Sequence, residues 1–116
     1  MLEVGECYYH NGINHIVIAS AKKDNKFLIL SITSGNFDKS CQIEPNELID
    51  NNNQKILNHT SYICYKYAFE FESYKTYEKF RKEYEYRCKI TPELLKKIQE
   101  GARKSQYLQY KFKKYF

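Results

Sequence analysis

Glycine is scarce in this chain, four residues in 116, and no two of them stand together in a phosphate-cradling loop. The sequence also has no G-x-S-x-G elbow and no H-E-x-x-H pair. Nucleotide-cofactor, α/β-hydrolase and zinc-protease chemistry therefore all lack their parts. The four cysteines, Cys7, Cys41, Cys64 and Cys88, are widely spaced with no C-x-x-C pair, so the clustered ligands of a structural zinc site are missing. They read as reduced, partly buried core residues. His10, His15 and His59 show no ligand spacing, and neither a metal nor a cofactor is expected. No apolar run is long enough to span a membrane, and Met1-Leu2-Glu3-Val4-Gly5-Glu6 resembles no signal peptide. The expectation is a cytoplasmic protein with no membrane partner.

What is present suits one domain over 1–116, with a strand-rich part at 1–72 and a helical, basic part at 73–116. The charge is divided in the same way. Residues 1–72 carry 6 Lys/Arg against 9 Asp/Glu, and residues 73–116 carry 13 against 5. A basic C-terminal surface suits a polyanion, either nucleic acid or an acidic protein, and equally suits a solvated helical face.

Glu6-Cys7-Tyr8-Tyr9 and Ile16-Val17-Ile18-Ala19-Ser20 flank Asn11-Gly12, a hairpin signal because both turn residues tolerate the positive φ of a type I′ turn. A third strand is expected over Phe27–Thr33, a short one at Ser40–Ile43 and a fifth near 60–67, with alternation continuing towards Glu72. From Ser73 the period turns helical: Tyr77, Phe80, Tyr84 and Cys88 share a face, and Glu78/Lys82 and Glu83/Arg87 pair at i, i+4. Helices are expected over roughly 74–87 and 92–104. In the second, Thr91 caps, Pro92 starts, and Leu94, Leu95, Ile98 and Ala102 are the buried stripe. The class is α+β, about five antiparallel strands and then two helices.

The tail from Arg103 holds five basic residues, five aromatics and no acid. Arg103, Lys104, Lys111, Lys113 and Lys114 could meet phosphates while the rings stack on unpaired bases, or the aromatics could pack the tail onto the domain. A polar set collects near the strand ends: His15, Thr33, Ser34, Asp38, Ser40 and His59. Metal-free RNA cleavage needs an acid, a base and donors to the phosphorane oxygens, which imidazole, hydroxyl and ammonium groups can supply. Each residue also has a local reading, Thr33, Ser34 and Asp38 as turn formers and His59 as an exposed loop residue.

Val4-Gly5-Glu6-Cys7-Tyr8-Tyr9, then Ile16-Val17-Ile18-Ala19-Ser20, then Phe27-Leu28-Ile29-Leu30-Ser31-Ile32-Thr33-Ser34 resembles the opening of the PemK/MazF toxins. The resemblance implies a small SH3-like barrel, commonly dimeric, that cleaves single-stranded RNA without a metal and is blocked by a protein antitoxin. Thr33 falls on the family's phosphate-contacting threonine. Where the family has an Arg-Pro pair, this chain has Asn14-His15, and no arginine precedes Arg81. Imidazole can move a proton but lacks a guanidinium's permanent charge and bidentate grip. The expected catalytic pair is His15 and Thr33, with Ser34, Asp38, Ser40 and His59 in support. The alternative is an SH3-like barrel without turnover that holds nucleic acid or a protein, in a defence or phage setting.

Overall fold

The computed structural model describes residues 2–12, 15–72 and 82–116. Six strands form one antiparallel sheet: β1 (Glu6–His10), β2 (His15–Lys23), β3 (Lys26–Thr33), β4 (Gln42–Ile43), β5 (Ser61–Glu72) and β6 (Tyr84–Lys89). Their order is β4-β5-β3-β2-β1-β6. One α-helix, α1 (Pro92–Lys104), follows the sheet, and the chain ends in a 3-10 segment, Tyr110–Tyr115. The class is α+β.

β1 to β3 form a meander, as the alternating apolar runs predict. The hairpin that Asn11-Gly12 signals is present, β1 and β2 pairing antiparallel with His10 opposite His15, but the left-handed pair of residues stands in the next turn. Asp24 and Asn25, at φ 52° and 64°, connect β2 to β3, whereas neither Asn11 nor Gly12 has positive φ. Two consecutive left-handed residues are the type I′ requirement, and the short side chains of Asp and Asn tolerate it.

The larger departure lies at Tyr84–Lys89. This stretch, expected to be helical as far as 87, is strand β6, paired antiparallel with β1 through Glu6↔Lys89 and Cys7↔Cys88. Lys82 and Glu83 are still helical, and positions 74–81 of the expected helix lie outside the described residues. Tyr84-Glu85-Tyr86-Arg87-Cys88 also alternates at period two, and the unpaired edge of β1 offers a ladder of backbone hydrogen bonds that a solvent-exposed helix would leave to water. The short strand at Ser40–Ile43 narrows to Gln42–Ile43, and β5 runs through to Glu72.

Both faces of the sheet bury apolar side chains. Leu28, Leu30 and Ile32 of β3 face α1, in a cluster with Ile18, Ile63, Ile98 and Ala102, while Phe27 and Ile29 face the other way with Leu2, Tyr8, Val17 and Ala19. The helix behaves as its sequence predicts. Thr91 Oγ1 accepts from Leu94 N at 3.1 Å, and Leu94, Ile98, Gly101 and Ala102 are buried. Burying Leu94 and Ile98 contributes about 1.5–3 kcal/mol each. Gly101 is required by close approach: a Cβ there would collide with the Tyr65 hydroxyl and lie 2.8 Å from Cys41 Cβ. Tyr65 Oη in turn donates to Ile98 O at 2.6 Å. Among the described residues, no helix is long and apolar enough to cross a membrane.

Candidate functional site

Strand alternation builds the site. His15, Val17 and Ala19 share one face of β2, and Phe27, Ile29, Ser31 and Thr33 share one face of β3. Val17 pairs with Ser31 and Ile16 with Ile32, so one step outward His15 and Thr33 stand across from each other. Towards the hairpin this face is the apolar cluster of Val17, Ala19, Phe27 and Ile29. Towards the strand ends it becomes polar and opens into a pocket of about 330 Å³.

His15, Thr33 and Ser31 supply the polar groups of that pocket, and Val17, Ile32 and Cys64 its floor. Its rim is aromatic: Phe37, Tyr67, Phe69 and Tyr84. Tyr67 is 66% exposed and Phe37 47%, unusual for rings with no role outside the fold. Thr33 Oγ1 accepts from Gly35 N at 3.1 Å, which closes the turn after β3 and keeps the hydroxyl proton as a donor. Burial pushes the Tyr84 phenol up, with the Glu83 carboxylate adding to the shift.

The other residues of the polar set do not join this pair. Ser34 is exposed and outside the pocket lining. His59 is exposed before β5, its Nδ1 3.4 Å from Ser61 Oγ. Asp38 is buried and structural: one carboxylate oxygen accepts from Ser40 N at 3.0 Å and Ser40 Oγ at 2.6 Å, the other from Ser105 Oγ at 2.7 Å. Asp38 and Ser40 border a second hollow, of about 410 Å³, with Lys39, Lys104, Gln106 and Tyr107. Phe37 stands between the two pockets and lines both, its ring edge-to-face with Tyr107 at 5.3 Å.

The tail cations divide by what they touch. Lys113 Nζ donates to Ala102 O at 2.9 Å and Ser105 O at 2.8 Å, completing the C-terminal end of α1. Arg103 Nε donates to Phe116 O at 3.2 Å, and Lys114 lies 4.0 Å from the Glu70 carboxylate. Lys111 sits over the Phe112 ring, and Lys104 is exposed at the second hollow. Among the described residues, no group of three His, Cys, Asp or Glu side chains could hold a metal ion.

The chain matches no family model, no curated protein and no solved structure. Its reading therefore rests on its own residues.

Sequence reasoning paired His15 with Thr33 but missed the aromatic rim. Tyr65, Tyr67, Phe69 and Phe71 alternate along β5 and read as one face. The register between β3 and β5 shifts between Ile29↔Phe69 and Ser31↔Cys64, and an irregularity of this kind turns side chains to the other face. Tyr65 is consequently buried against α1, while Tyr67 and Phe69 rim the pocket. The density of aromatics was the visible signal; their division between faces was not.

Proposed function

We propose that this domain takes single-stranded RNA into the aromatic pocket and cleaves it without a metal, as a toxin-type endoribonuclease, with His15 and Thr33 at the reacting phosphodiester. The observation that carries the reading is the shared pocket: an imidazole and a hydroxyl across adjacent strands, inside a rim of exposed rings. Unpaired bases stack on such rings with little regard to sequence. His15 is the group to take the proton of the attacking 2′-hydroxyl as the P–O2′ bond forms and, as imidazolium, to return a proton to the 5′-oxygen as the P–O5′ bond breaks, and the Thr33 O–H is the donor to a phosphorane oxygen. Lys39 and Lys104, beyond Phe37, supply positive charge for the flanking phosphate. On this reading the curved sheet is an SH3-like barrel variant acting in the cytoplasm, and a protein antitoxin, or a second copy of the chain, would cover the pocket.

A second reading, binding without turnover, is favoured by a different observation. Among the described residues no lysine or arginine lines the His15 pocket, so none of them sets a permanent cation against the charge developing on the phosphorane.

One experiment separates the two. Purified protein is mixed with a labelled single-stranded oligoribonucleotide in EDTA, and binding and product ends are measured together. Binding with new 2′,3′-cyclic phosphate ends that His15→Ala abolishes supports cleavage. Binding with intact RNA selects the second reading. Equal affinity for duplex and single strand, or no binding, removes both.

A further inference from the structure

All four cysteines are free and buried, but two of them stand in a relation the others do not share. Cys7 of β1 and Cys88 of β6 are direct cross-strand partners. We propose that Cys7 and Cys88 are a redox-modifiable pair that closes to a cross-strand disulfide and staples edge strand β6 to β1.

Directly opposed residues of an antiparallel pair have Cα atoms about 4.5–5.5 Å apart, inside the roughly 4.4–6.8 Å range that a disulfide spans. Both thiols are buried on the same rung of the ladder. The neighbouring Cys88 and burial push the Cys7 thiol up, while the neighbouring Cys7 holds the Cys88 thiol down. Cys88 lies on the edge strand and Cys7 inside the sheet, so Cys88 is the thiol that meets the oxidant first and Cys7 the resolving thiol. Neither of the other cysteines is so placed: Cys64 is opposite Ser31, and burial pushes the Cys41 thiol up to about 11. Access comes from the edge. β6 pairs only with β1 among the described strands, and the β1–β6 register shifts between Cys7 and Tyr8, so opening this ladder disturbs no other pairing.

The oxidant that fits a site this enclosed is a small peroxide. Cys88 thiolate attacks hydrogen peroxide, breaking the O–O bond to give a sulfenic acid and hydroxide. Cys7 sulfur then attacks the sulfenic sulfur, the S–S bond forms, and the displaced hydroxide leaves as water with the Cys7 proton. Two thiols are oxidised and one peroxide is reduced to two waters. The staple would also hold Tyr84, at the start of β6 and on the rim of the aromatic pocket.

The test uses the reduced full-length chain, treated with increasing hydrogen peroxide, then unfolded, alkylated and mapped by peptide mass spectrometry. The expected result is loss of two of the four alkylatable thiols, a peptide joining Cys7 to Cys88, and reversal by dithiothreitol. The thermal midpoint should rise on oxidation and fall back on reduction. Four alkylatable thiols at every peroxide level, a crosslink through Cys41 or Cys64, or conversion of Cys88 to sulfinate would each overturn the proposal. Cys88→Ser should leave Cys7 a free thiol; should that variant not fold, mapping of the unmodified chain decides alone.

Discussion

Ser105, at the end of α1, donates its hydroxyl at 2.7 Å to the buried carboxylate of Asp38, 67 positions earlier in the chain. The same Ser105 oxygen accepts from Tyr107 N at 3.0 Å and Leu108 N at 3.2 Å, so one side chain ends the helix and anchors the tail. Removing the carboxylate strands three donors. Asp38→Ala should therefore lower unfolding free energy by about 1.5–3 kcal/mol, the range for hydrogen bonds to charged groups. RNA affinity measured well below the melting transition should not fall, since the change removes a negative charge beside the Lys39/Lys104 hollow. A denaturant midpoint equal to wild type would return Asp38 to the list of site candidates.

Gly101 and Tyr65 should behave as a coupled pair. A methyl at Gly101 collides with the Tyr65 hydroxyl, and overpacking of this kind costs about 1–3 kcal/mol. In a double-mutant cycle, Tyr65→Phe should recover part of the loss caused by Gly101→Ala. Additive effects would show that the collision with Cys41 and the Ser40 carbonyl dominates instead.

Replacing rim rings tests the pocket without touching the proposed reacting groups. Tyr67→Ala and Phe69→Ala should each weaken single-stranded RNA binding by about 1–3 kcal/mol if a base stacks there, with unfolding midpoints near wild type for the more exposed Tyr67. Fluorescence anisotropy of a labelled oligoribonucleotide reads the change. Equal affinities for both variants and wild type would move RNA off this face.

The tail lysines should separate into two classes. Lys113→Met removes both bonds to the helix-end carbonyls and should lower the melting temperature while leaving the salt dependence of RNA binding intact. Lys104→Gln should leave stability alone and reduce the slope of log affinity against log salt by about one, as loss of one phosphate contact does. The reverse pattern would mean that Lys113, not Lys104, reaches the nucleic acid.

Acid should loosen the contact between the tail and β5. Tyr115 Oη donates to Glu70 at 2.6 Å, and this bond, helped by Lys114, holds the carboxyl below the usual carboxylate range. A folded pKa below the unfolded one stabilises the fold fully above the unfolded value, near ~4.3. The contribution is lost as pH falls through the folded value. Tyr115→Phe should shrink the drop in melting temperature between neutral pH and pH ~3; an undiminished drop would assign it to other carboxylates.

Much of this molecule was set locally. The apolar alternation of β2 and β3, the Thr91-Pro92 start of α1 and its Leu94/Ile98/Ala102 stripe depend on neighbours within a few residues, and short-range chemistry decides them. His15 and Thr33 could be paired from sequence because they end strands that a short turn joins, so the meander itself brings them across from each other. Tertiary structure decided the rest. Tyr84–Lys89 became a strand because β1 had an unsatisfied edge, a demand from far along the chain that no local period reports. Asp38 turned from candidate catalyst to structural anchor because Ser105 arrives beside it only when the helix docks. The rings of β5 took opposite faces because a register shift against β3 intervened, and that irregularity belongs to the pairing of two strands, not to either strand alone.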